Sequence, residues 1–569
     1  PIRAWCRRNN LLSGGHFGGE DEPFGNADYG YGHIMRALRG LDLPGVDVIW
    51  RQLFPAQPGG TAYYNEPGQK LARARGKLSR PFTKYASSVA HQGGRQHVVS
   101  ETFAVYGYGL APLQMKWVVD HQYQQGATML VLSNISQKVE DDDILGGCRP
   151  HFGPADPLWP YFGIMHRYAA RLGYLMTRGR AAAATACYYD VRGIWAGGAH
   201  RRRAITQHFA MARRLQERQC DFDFIDDDTL AAAVCRGGAL TVGRMRYDTL
   251  VVPATEWMAP AARETLARFE AAGGRVLRGV AGAAQAAPTV EISPRNREIR
   301  CTRRVWSGHA LYFLTNESMR PVRATILLPE RTPPVRCDPH DGLCHAVRHA
   351  TRPGGVAVTW SFEPAGSLVL LCGARADVEE PEFRPGAARL ELDAGWTIEP
   401  LRRHNVGERG YEIIECKARP RKTTLGDWRR PLGAAFSGAA RYAVTFEAPH
   451  GSAAILDLGE VRYACTVTLN GKEIGRRFWG PCRFDLSGRL RRGVNRLEVE
   501  VSNTLANAIA LPLARRRRRA GNRPISPYDK MQETFERESR CGGLYGPVRL
   551  VLGEKERGQG SGFRGTLNV

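Results

Sequence analysis

The chain has 569 residues, of which 43% are hydrophobic and 24% charged. This composition excludes a disordered chain, and the length suits about three to four domains. The net charge is +24, yet only ten of the 80 basic residues are lysine and arginine occurs throughout, which indicates a compositional bias rather than a nucleic-acid-binding face. We therefore expect no nucleic acid as partner. Since no apolar run has the length of a membrane-spanning helix, we expect no membrane either.

Residues 1–180 alternate short apolar strands with longer helical stretches. The predicted strands are 11–17, 46–50, 97–100 and 128–132, and the predicted helices are 113–124 and 161–176. Strands joined by helices are typical of a parallel sheet, and Gly-rich or polar residues after each strand favour a (β/α)8 barrel. Four strands correspond to the C-terminal part of such a barrel. The chain begins at Pro1 and no signal peptide follows. We therefore expect a fragment without its N-terminal part, and the compartment stays unknown.

The rest of the chain divides into four parts. Residues 181–288 show the βαβ alternation of a flavodoxin-like domain. They contain neither GxGxxG nor a nucleophilic cysteine on a strand-to-helix elbow, so we interpret this domain as structural. Period-two alternation predicts a β-sandwich over 289–378 and a second all-β unit over 386–555, with a tail at 556–569. Asn470-Gly471 predicts a hairpin turn.

Three polar features are interpreted as structural. The arginine run 515–519 predicts a solvated loop, with an anion-binding patch as the alternative. The acidic run 140–143 predicts an exposed loop rather than a calcium site. One group has ligand-like spacing but is expected to form a hairpin tip: Cys337, His340, Cys344, His345 and His349. No metal and no cofactor are expected, and the oligomeric state stays unknown.

The C-terminal unit carries an ordered set of motifs. They are LGDW at 425–428, FSG at 436–438, LDLG at 456–459, VTLNGK at 467–472, NRL at 495–497 and GLYGPV at 543–548. This set resembles the sugar-binding jelly roll of glycoside hydrolase family 2 and its relatives, over about 160 residues. The resemblance implies a carbohydrate partner.

The first segment resembles the late barrel strands of large bacterial glycoside hydrolases that carry such a jelly roll. The matching pieces are Gly15-His16 with Glu20, PGVD at 44–47, residues 84–90, SETF at 100–103, Met115-Lys116, Asp120 and GAT at 126–128. The middle domain is similar to the non-catalytic, amidotransferase-like domain of family 42 β-galactosidases. The α-L-rhamnosidases of family 106 are a related possibility. Together these resemblances imply a glycosidase that hydrolyses O-glycosidic bonds of an oligo- or polysaccharide.

Cleavage of a glycosidic bond needs two carboxyl groups. Glu101 follows the apolar run 97–99 and precedes a Gly/Tyr-rich loop, which predicts a carboxylate at the C-terminal end of a strand, where barrel enzymes hold their catalytic groups. If the four strands are the last four of the barrel, Glu101 lies on the seventh, and the resemblance then implies that Glu101 is the nucleophile or base. A salt-bridged or capping glutamate is the structural alternative.

The second carboxyl group has two interpretations. Either Glu20 or Glu22 is the general acid, or the acid lies upstream of Pro1; a solvated acidic loop is the structural alternative. His16 and Asp47 are candidates to bind sugar hydroxyls. The aromatic candidates for sugar stacking are Trp50, Tyr106, Tyr108 and Trp159, with packing in the core as the structural alternative for each. A non-catalytic carbohydrate-binding protein remains the alternative function, and whether the fragment itself is active stays open.

Overall fold

The protein is described by a computed structural model that covers residues 1–21, 27, 30–55, 81–135, 147–378, 383–407, 410–448, 453–510 and 527–555. It is a mixed α/β and sheet-rich protein with a parallel half-barrel near its N-terminus. Within these ranges, every helix is too short or too polar to cross a lipid bilayer. The arginine run 515–519, the acidic run 140–143 and Glu22 lie outside the described residues.

The half-barrel is a four-stranded sheet in the order β1-β2-β3-β4, with every pair parallel. Its strands are β1 (Gly14–Gly15), β2 (Leu43–Val48), β3 (Val99–Thr102) and β4 (Met129–Leu132). Its helices are α1 (Ile2–Arg8), α2 (Ile34–Arg39), α3 (Thr83–Gln92), α4 (Pro112–Gln124) and α5 (Trp159–Thr177). Helix α4 begins with Pro112, whose fixed φ suits a first turn, and the Gln114 side chain accepts a hydrogen bond from the Ala111 amide at 2.9 Å.

The second part contains a parallel sheet in the order β12-β11-β6-β7 and a three-stranded antiparallel sheet in the order β10-β9-β8. Its strands are β5 (Arg180–Ala181), β6 (Thr185–Tyr188), β7 (Phe222–Ile225), β8 (Val234–Arg236), β9 (Ala239–Val242), β10 (Met245–Tyr247), β11 (Thr249–Val252) and β12 (Arg275–Arg278). Its helices are α6 (Val191–Trp195), α7 (Gly198–Glu217), α8 (Asp227–Ala231), α9 (Pro260–Ala271) and α10 (Gly279–Ala283). Strands β6, β7 and β11 are buried along their whole length, as expected for a parallel sheet covered by helices.

The third part is built from two antiparallel sheets, in the orders β13-β16-β20-β19 and β18-β17-β21-β15-β14-β5. Its strands are β13 (Glu291–Ser293), β14 (Ile299–Trp306), β15 (His309–Asn316), β16 (Val322–Leu328), β17 (Pro334–Asp338), β18 (Leu343–Ala346), β19 (Ala350–Arg352), β20 (Gly355–Phe362) and β21 (Ser367–Cys372). Strand β5 joins the second of these sheets, so the chain between the half-barrel and the second part is paired with the third.

The C-terminal part has two large antiparallel sheets, β22-β34-β27-β31 and β24-β23-β26-β32-β29-β30, the second with β25 paired to β23, and a small β28-β33 pair. Its strands are β22 (Phe383–Glu391), β23 (Thr397–Gly407), β24 (Gly410–Glu415), β25 (Arg421–Lys422), β26 (Ser437–Ala448), β27 (Ala453–Asp457), β28 (Glu460–Arg462), β29 (Ala464–Leu469), β30 (Lys472–Arg477), β31 (Arg483–Asp485), β32 (Gly493–Ser502), β33 (Gly543–Gly546) and β34 (Arg549–Lys555). Its helices are α11 (Arg429–Leu432), α12 (Ala506–Ile509) and α13 (Pro527–Glu538).

The predicted hairpin at Asn470-Gly471 is confirmed. Leu469 pairs with Lys472 across the turn, and both turn residues have positive φ, 53° and 80°. This geometry requires residues that tolerate the left-handed region, which Asn and Gly do.

Three predicted elements differ from the structure. The strand predicted over 11–17 is shorter in the structure and covers only Gly14–Gly15, because residues 11–13 have no regular structure. Residues 2–8, before it, form α1. The stretch before β11 contains the small β8–β10 sheet. The C-terminal unit includes α13, which packs on the half-barrel through a buried ion pair between Arg149 Nε and Glu536 Oε1 at 2.8 Å.

Buried polar contacts of two lysines join the half-barrel to its neighbours. Lys84 Nζ on α3 lies 2.6 Å from Asp221 Oδ1, and both side chains are 2% exposed. Lys116 Nζ on α4 lies 2.5 Å from Asp120 and donates to the Ala365 carbonyl at 3.0 Å. These polar contacts fix the half-barrel, and with it the carboxyl ends of β1–β3, against the second and third parts.

Candidate active site

The carboxyl ends of three neighbouring parallel strands hold the candidate catalytic side chains. His16 follows β1, Asp47 lies in β2 and Glu101 lies in β3. Asp47 and Glu101 are directly paired in the strand register. Because paired residues of a parallel sheet project to the same face, the two carboxyl groups lie on one side of the sheet. The sheet therefore brings together residues that are 31 and 54 positions apart in the sequence.

One imidazole ring connects the acidic groups. His16 Nε2 is 3.1 Å from Glu101 Oε2, and His16 Nδ1 is 3.7 Å from both Glu20 Oε1 and Asp47 Oδ2. Since one ring spans both contacts, the Glu101 and Glu20 carboxylates lie within roughly 9 Å of each other, in the range that paired carboxyl mechanisms use. The predicted candidates Glu101, Glu20, His16 and Asp47 thus form one cluster.

A tight turn holds Glu20 in this cluster. The backbone amides of Phe17 and Gly18 both donate to Glu20 Oε1, at 2.7 and 2.9 Å. Gly18 has φ of 80° and Gly19 of 66°, a conformation that a side chain would strain, so the glycines allow the chain to turn around the carboxylate. Glu20 is 1% exposed. The turn therefore buries a carboxylate and orients it toward Asp47.

The surroundings of the Asp47 carboxyl group raise its pKa. Burial raises its pKa, the neighbouring Glu20 raises it further by charge and by a hydrogen bond, and Asp21 and Glu101 add to the effect, giving about 10. Asp47 is 5% exposed, whereas the Glu101 side chain is 38% exposed. The cluster thus contains a buried acid that keeps its proton and an accessible carboxyl group beside the same histidine.

Three groups of ligand-type side chains lie close enough for a metal ion among the described residues. They are His16 with Glu20 and Asp47, His33 with Asp226 and Asp228, and Asp338 with Asp341 and His345. In the second group the carboxylates are already paired: Arg39 contacts both of them and Arg36 contacts Asp228. The first group coincides with the candidate active site, and three of its buried polar atoms, His16 Nδ1, Glu20 Oε2 and Asp47 Oδ1, have no hydrogen-bond partner within the described part of the chain.

The predicted aromatic residues have different surroundings. Trp50 directly follows β2 with a positive φ of 55° and is half-buried. Trp159 is 42% exposed at the start of α5. The rings of Tyr106 and Tyr108 are buried in the core, and the Tyr106 hydroxyl donates to the Leu53 carbonyl at 2.7 Å. Neither tyrosine presents a ring face to a cleft, because the loop after β3 folds inward under α13.

Two further residues beside the cluster, Tyr31 and Gln52, were not predicted as site residues from the sequence. Tyr31 donates a hydrogen bond to the Gly18 carbonyl at 3.4 Å, and burial together with the charge of Glu20 raises the pKa of its phenol. Gln52 donates to Asp21 Oδ1 at 2.9 Å and accepts from the Ile49 amide. Tyr31 lies in a Tyr-Gly repeat at 29–32, whose glycines were the available signal of a close backbone turn.

Comparisons with known proteins agree with this architecture. Residues 69–326 match the model of glycoside hydrolase family 106, described as alpha-L-rhamnosidase. The solved rhamnosidase from Novosphingobium sp. PP1Y aligns over 97% of this chain and 54% of its own, with a TM-score of 0.67 and 18% identity, which shows a shared fold. This chain therefore spans about half the length of that rhamnosidase.

Two other relatives match more weakly. A putative beta-glucuronidase from Formosa agariphila is 33% identical over 146 residues, which are 21% of this chain and 12% of that protein. A beta-galactosidase from Bacillus circulans sp. alkalophilus aligns over 59% of this chain and 61% of its own, with 11% identity and a TM-score of 0.37. The chain is a relative of the glycoside hydrolases, and its likeness to the alpha-L-rhamnosidase family lies in residues 69–326.

Proposed function

We propose that this chain contributes the catalytic face of a glycosidase that hydrolyses O-linked α-L-rhamnosides. The observation that carries the proposal is the bridge of His16 between the accessible Glu101 and the buried Glu20 and Asp47 at the carboxyl ends of β1–β3. Glycosidic cleavage requires two carboxyl groups, and the cluster offers a buried one with a raised pKa and an accessible one beside the same histidine. The rhamnoside class is taken from the family match.

Each group receives a role from its surroundings. Glu101 is the nucleophile or base, because its carboxylate is accessible and hydrogen-bonded to His16. Asp47 supplies or returns a proton, because burial and the adjacent Glu20 raise its pKa to about 10. Glu20 accepts a hydrogen bond from Asp47 and is held by two backbone amides. His16 relays between the two sides and orients Glu101.

We propose the following domain functions. Residues 1–180 form the C-terminal part of a (β/α)8 barrel and carry the site. Residues 181–288 form a flavodoxin-like structural domain, as the order β12-β11-β6-β7 supports. Residues 289–378 form a β-sandwich and residues 386–555 a sugar-binding jelly roll, which the two facing antiparallel sheets of that part support.

A hydrolysis assay tests the proposal. The chain is incubated with 4-nitrophenyl α-L-rhamnopyranoside, and 4-nitrophenyl β-D-glucuronide serves as the competing substrate class. We expect Glu101→Gln to lower the rhamnoside rate by on the order of 10³-fold, because the amide is neither a nucleophile nor a base. The control is Glu447→Gln, since Glu447 is an exposed glutamate of β26, far from the site in the chain.

The outcomes separate two functions. Loss of hydrolysis in Glu101→Gln with normal rates in Glu447→Gln supports the proposed catalysis. If the unaltered chain binds L-rhamnose in calorimetry but hydrolyses neither substrate, the catalytic proposal is wrong and the chain is a carbohydrate-binding protein. Preferential cleavage of the glucuronide overturns the substrate class while leaving the roles of the carboxyl groups in place.

A further inference from the structure

Two cysteines face each other in a hairpin remote from the candidate active site. Cys337 of β17 is the direct register partner of Cys344 of β18. Their sulfur atoms are 2.8 Å apart, and both residues are buried. Residues opposite each other in an antiparallel pair have Cα atoms about 4.5 or about 5.5 Å apart, and both values lie in the range that a disulfide spans.

The hydrogen bonds of Cys344 show which kind of pair this is. Its amide donates to Asp377 Oδ2 at 2.8 Å, and its carbonyl accepts from the amides of Asp377 and Val378. The amide and carbonyl of one strand residue point to the same side, so both of these groups point away from β17. Cys337 and Cys344 therefore form a non-hydrogen-bonded pair, the closer of the two kinds, in which facing side chains approach most.

The surroundings do not favour a metal at these sulfur atoms. Within the described ranges, no group of three ligand-type side chains includes either cysteine. His345 directs Nε2 to Asp341 Oδ2 at 2.8 Å. The His340 ring packs between Tyr168 and Trp479, with centroid separations of 4.9 and 5.3 Å. The histidines that gave this segment its ligand-like spacing are therefore engaged elsewhere.

We propose that Cys337 and Cys344 are a redox modification site and form a cross-strand disulfide with a small-molecule disulfide such as oxidised glutathione as the oxidant. The Cys344 thiolate attacks the glutathione disulfide, which releases one glutathione and leaves a mixed disulfide. The Cys337 thiolate then attacks the Cys344 sulfur and releases the second glutathione. Two protein thiols are oxidised to one disulfide and one glutathione disulfide is reduced to two thiols, which take up the two protons that the protein thiols lose.

The order of attack follows from the local chemistry. Cys337 and Cys344 share a hydrogen bond in which either sulfur can be the donor, and this contact lowers the pKa of the Cys344 thiol despite its burial. The thiolate is the nucleophile in disulfide exchange, so Cys344 reacts first. β18 is the terminal strand of its six-stranded sheet, and an edge strand opens locally at lower cost than a central one.

The bond would fix a segment that joins three parts of the molecule. Residues 338–343 connect the two cysteines, and within them the carbonyls of Pro339 and His340 both accept from Arg171 of the half-barrel helix α5. His340 also contacts Trp479 of the C-terminal part. This tip lines a cavity of about 570 Å³ between the parts. Oxidation is therefore expected to stiffen the wall of that cavity.

Peptide mapping of the folded protein tests the proposal. The protein is equilibrated with oxidised and reduced glutathione, then unfolded in guanidinium with excess iodoacetamide and digested with trypsin. Cleavage after Arg336 and Arg348 releases one peptide, 337–348, that contains both cysteines. We expect this peptide to be lighter than its dithiol form by two hydrogens and to carry no alkyl group. Two alkyl groups on the peptide at every glutathione ratio would overturn the proposal.

A second cysteine pair provides the matched control. Cys465 and Cys482 are also buried, with sulfur atoms 3.9 Å apart, but Cys465 is paired with Arg477 in the register rather than with Cys482. We expect both to be alkylated under the conditions that protect 337–348. Hydrogen exchange gives the second measurement. After oxidation, the backbone amides of residues 338 and 340–343 should exchange more slowly in the natural chain, whereas their exchange rates in Cys344→Ala should not change. Equal slowing in Cys344→Ala would refute a bond at this site.

Discussion

Acidic side chains are buried in two regions of this protein, and the two regions balance their charge differently. At the junction with the second part, Asp221 is paired with Lys84 at 2.6 Å and accepts a hydrogen bond from Thr302 at 2.7 Å. At the strand ends of the half-barrel, Glu20, Asp47 and Glu101 surround the single imidazole of His16. The junction has one cation for its carboxylate, whereas the strand ends have three acids around one base.

This difference separates the junction carboxylate from the cluster that we propose to be catalytic. A matched pair is satisfied by its own partner, so its contribution is to orientation and stability. An excess of acid cannot be fully ionised at close range, and the result is the raised pKa of Asp47, about 10, caused by burial and then by Glu20. A carboxyl group with a raised pKa next to the accessible Glu101 is typical of functional sites, and this feature supports the proposed role of the strand ends.

Breaking the matched pair should have the largest effect on stability. Lys84→Met leaves Asp221 buried without its cation, and removing one partner of a buried ion pair costs about 3–5 kcal/mol. We expect the free energy of unfolding, measured by urea titration followed by tryptophan fluorescence, to fall by that amount. The reason is that Asp221 is 2% exposed and water cannot replace the lysine.

A double variant sharpens this test. Lys84→Met combined with Asp221→Leu replaces the ionic pair by apolar side chains, which is often neutral or stabilising. We expect the double variant to recover most of the stability lost in the single one. Equal losses in both variants would contradict the assignment of the pair as charge-matched, and would point to packing of the lysine stem instead.

The excess of acidic groups around His16 should make the free energy of unfolding depend on pH. The folded protein holds the Asp47 proton up to a pKa of about 10, whereas the unfolded chain loses it near pH 4, so the folded state binds more protons between these values. Stability therefore falls as pH rises, by at most about 1.4 kcal/mol per pH unit from this group. Asp47→Asn removes this contribution, and we expect its stability curve between about pH 5 and about pH 9 to be flatter than that of the natural chain.

An exposed aspartate supplies the control for the pH measurement. Asp393 lies on the surface of the C-terminal part, so Asp393→Asn should leave the pH dependence unchanged. Urea unfolding at several pH values gives both curves. If the free energy of unfolding of Asp47→Asn depends on pH as steeply as that of the natural chain, Asp47 is ionised in the folded state. Its pKa is then not raised by the neighbouring acids.

Much of this arrangement was predictable from the sequence. Glu101, Asp47 and His16 follow or end apolar runs, and parallel strands place such residues at one edge. Glu20 was predictable as a candidate, but its burial was not, because it depends on the glycine turn at 18–19 and on two backbone donors. Sequence patterns report the strand ends; they do not report which carboxyl group keeps a proton.

For Tyr106 and Tyr108 the structure selects core packing, the alternative to sugar stacking. Tyr106 and Tyr108 stand in a Gly/Tyr-rich loop that is typical of a sugar platform. Their burial comes from α13, more than 400 residues later, whose Gln532 and Glu536 contact this loop and Arg149. No local pattern contains such a contact. Lys84 and Lys116 belong to segments that carry the family resemblance, and their partners in the second and third parts make them junction residues.

The smallest effect is expected at an ion pair that is matched but exposed. Arg402 Nε lies 2.8 Å from Glu415 Oε1 between β23 and β24, and the two side chains are 41% and 69% exposed. Solvent screens such a pair, so Arg402→Ala should lower the free energy of unfolding by less than about 0.5 kcal/mol. The same urea titration measures it beside Lys84→Met. Both pairs are matched in charge and differ in burial. A loss comparable to that of Lys84→Met would therefore show that burial does not determine how much an ion pair stabilises this protein.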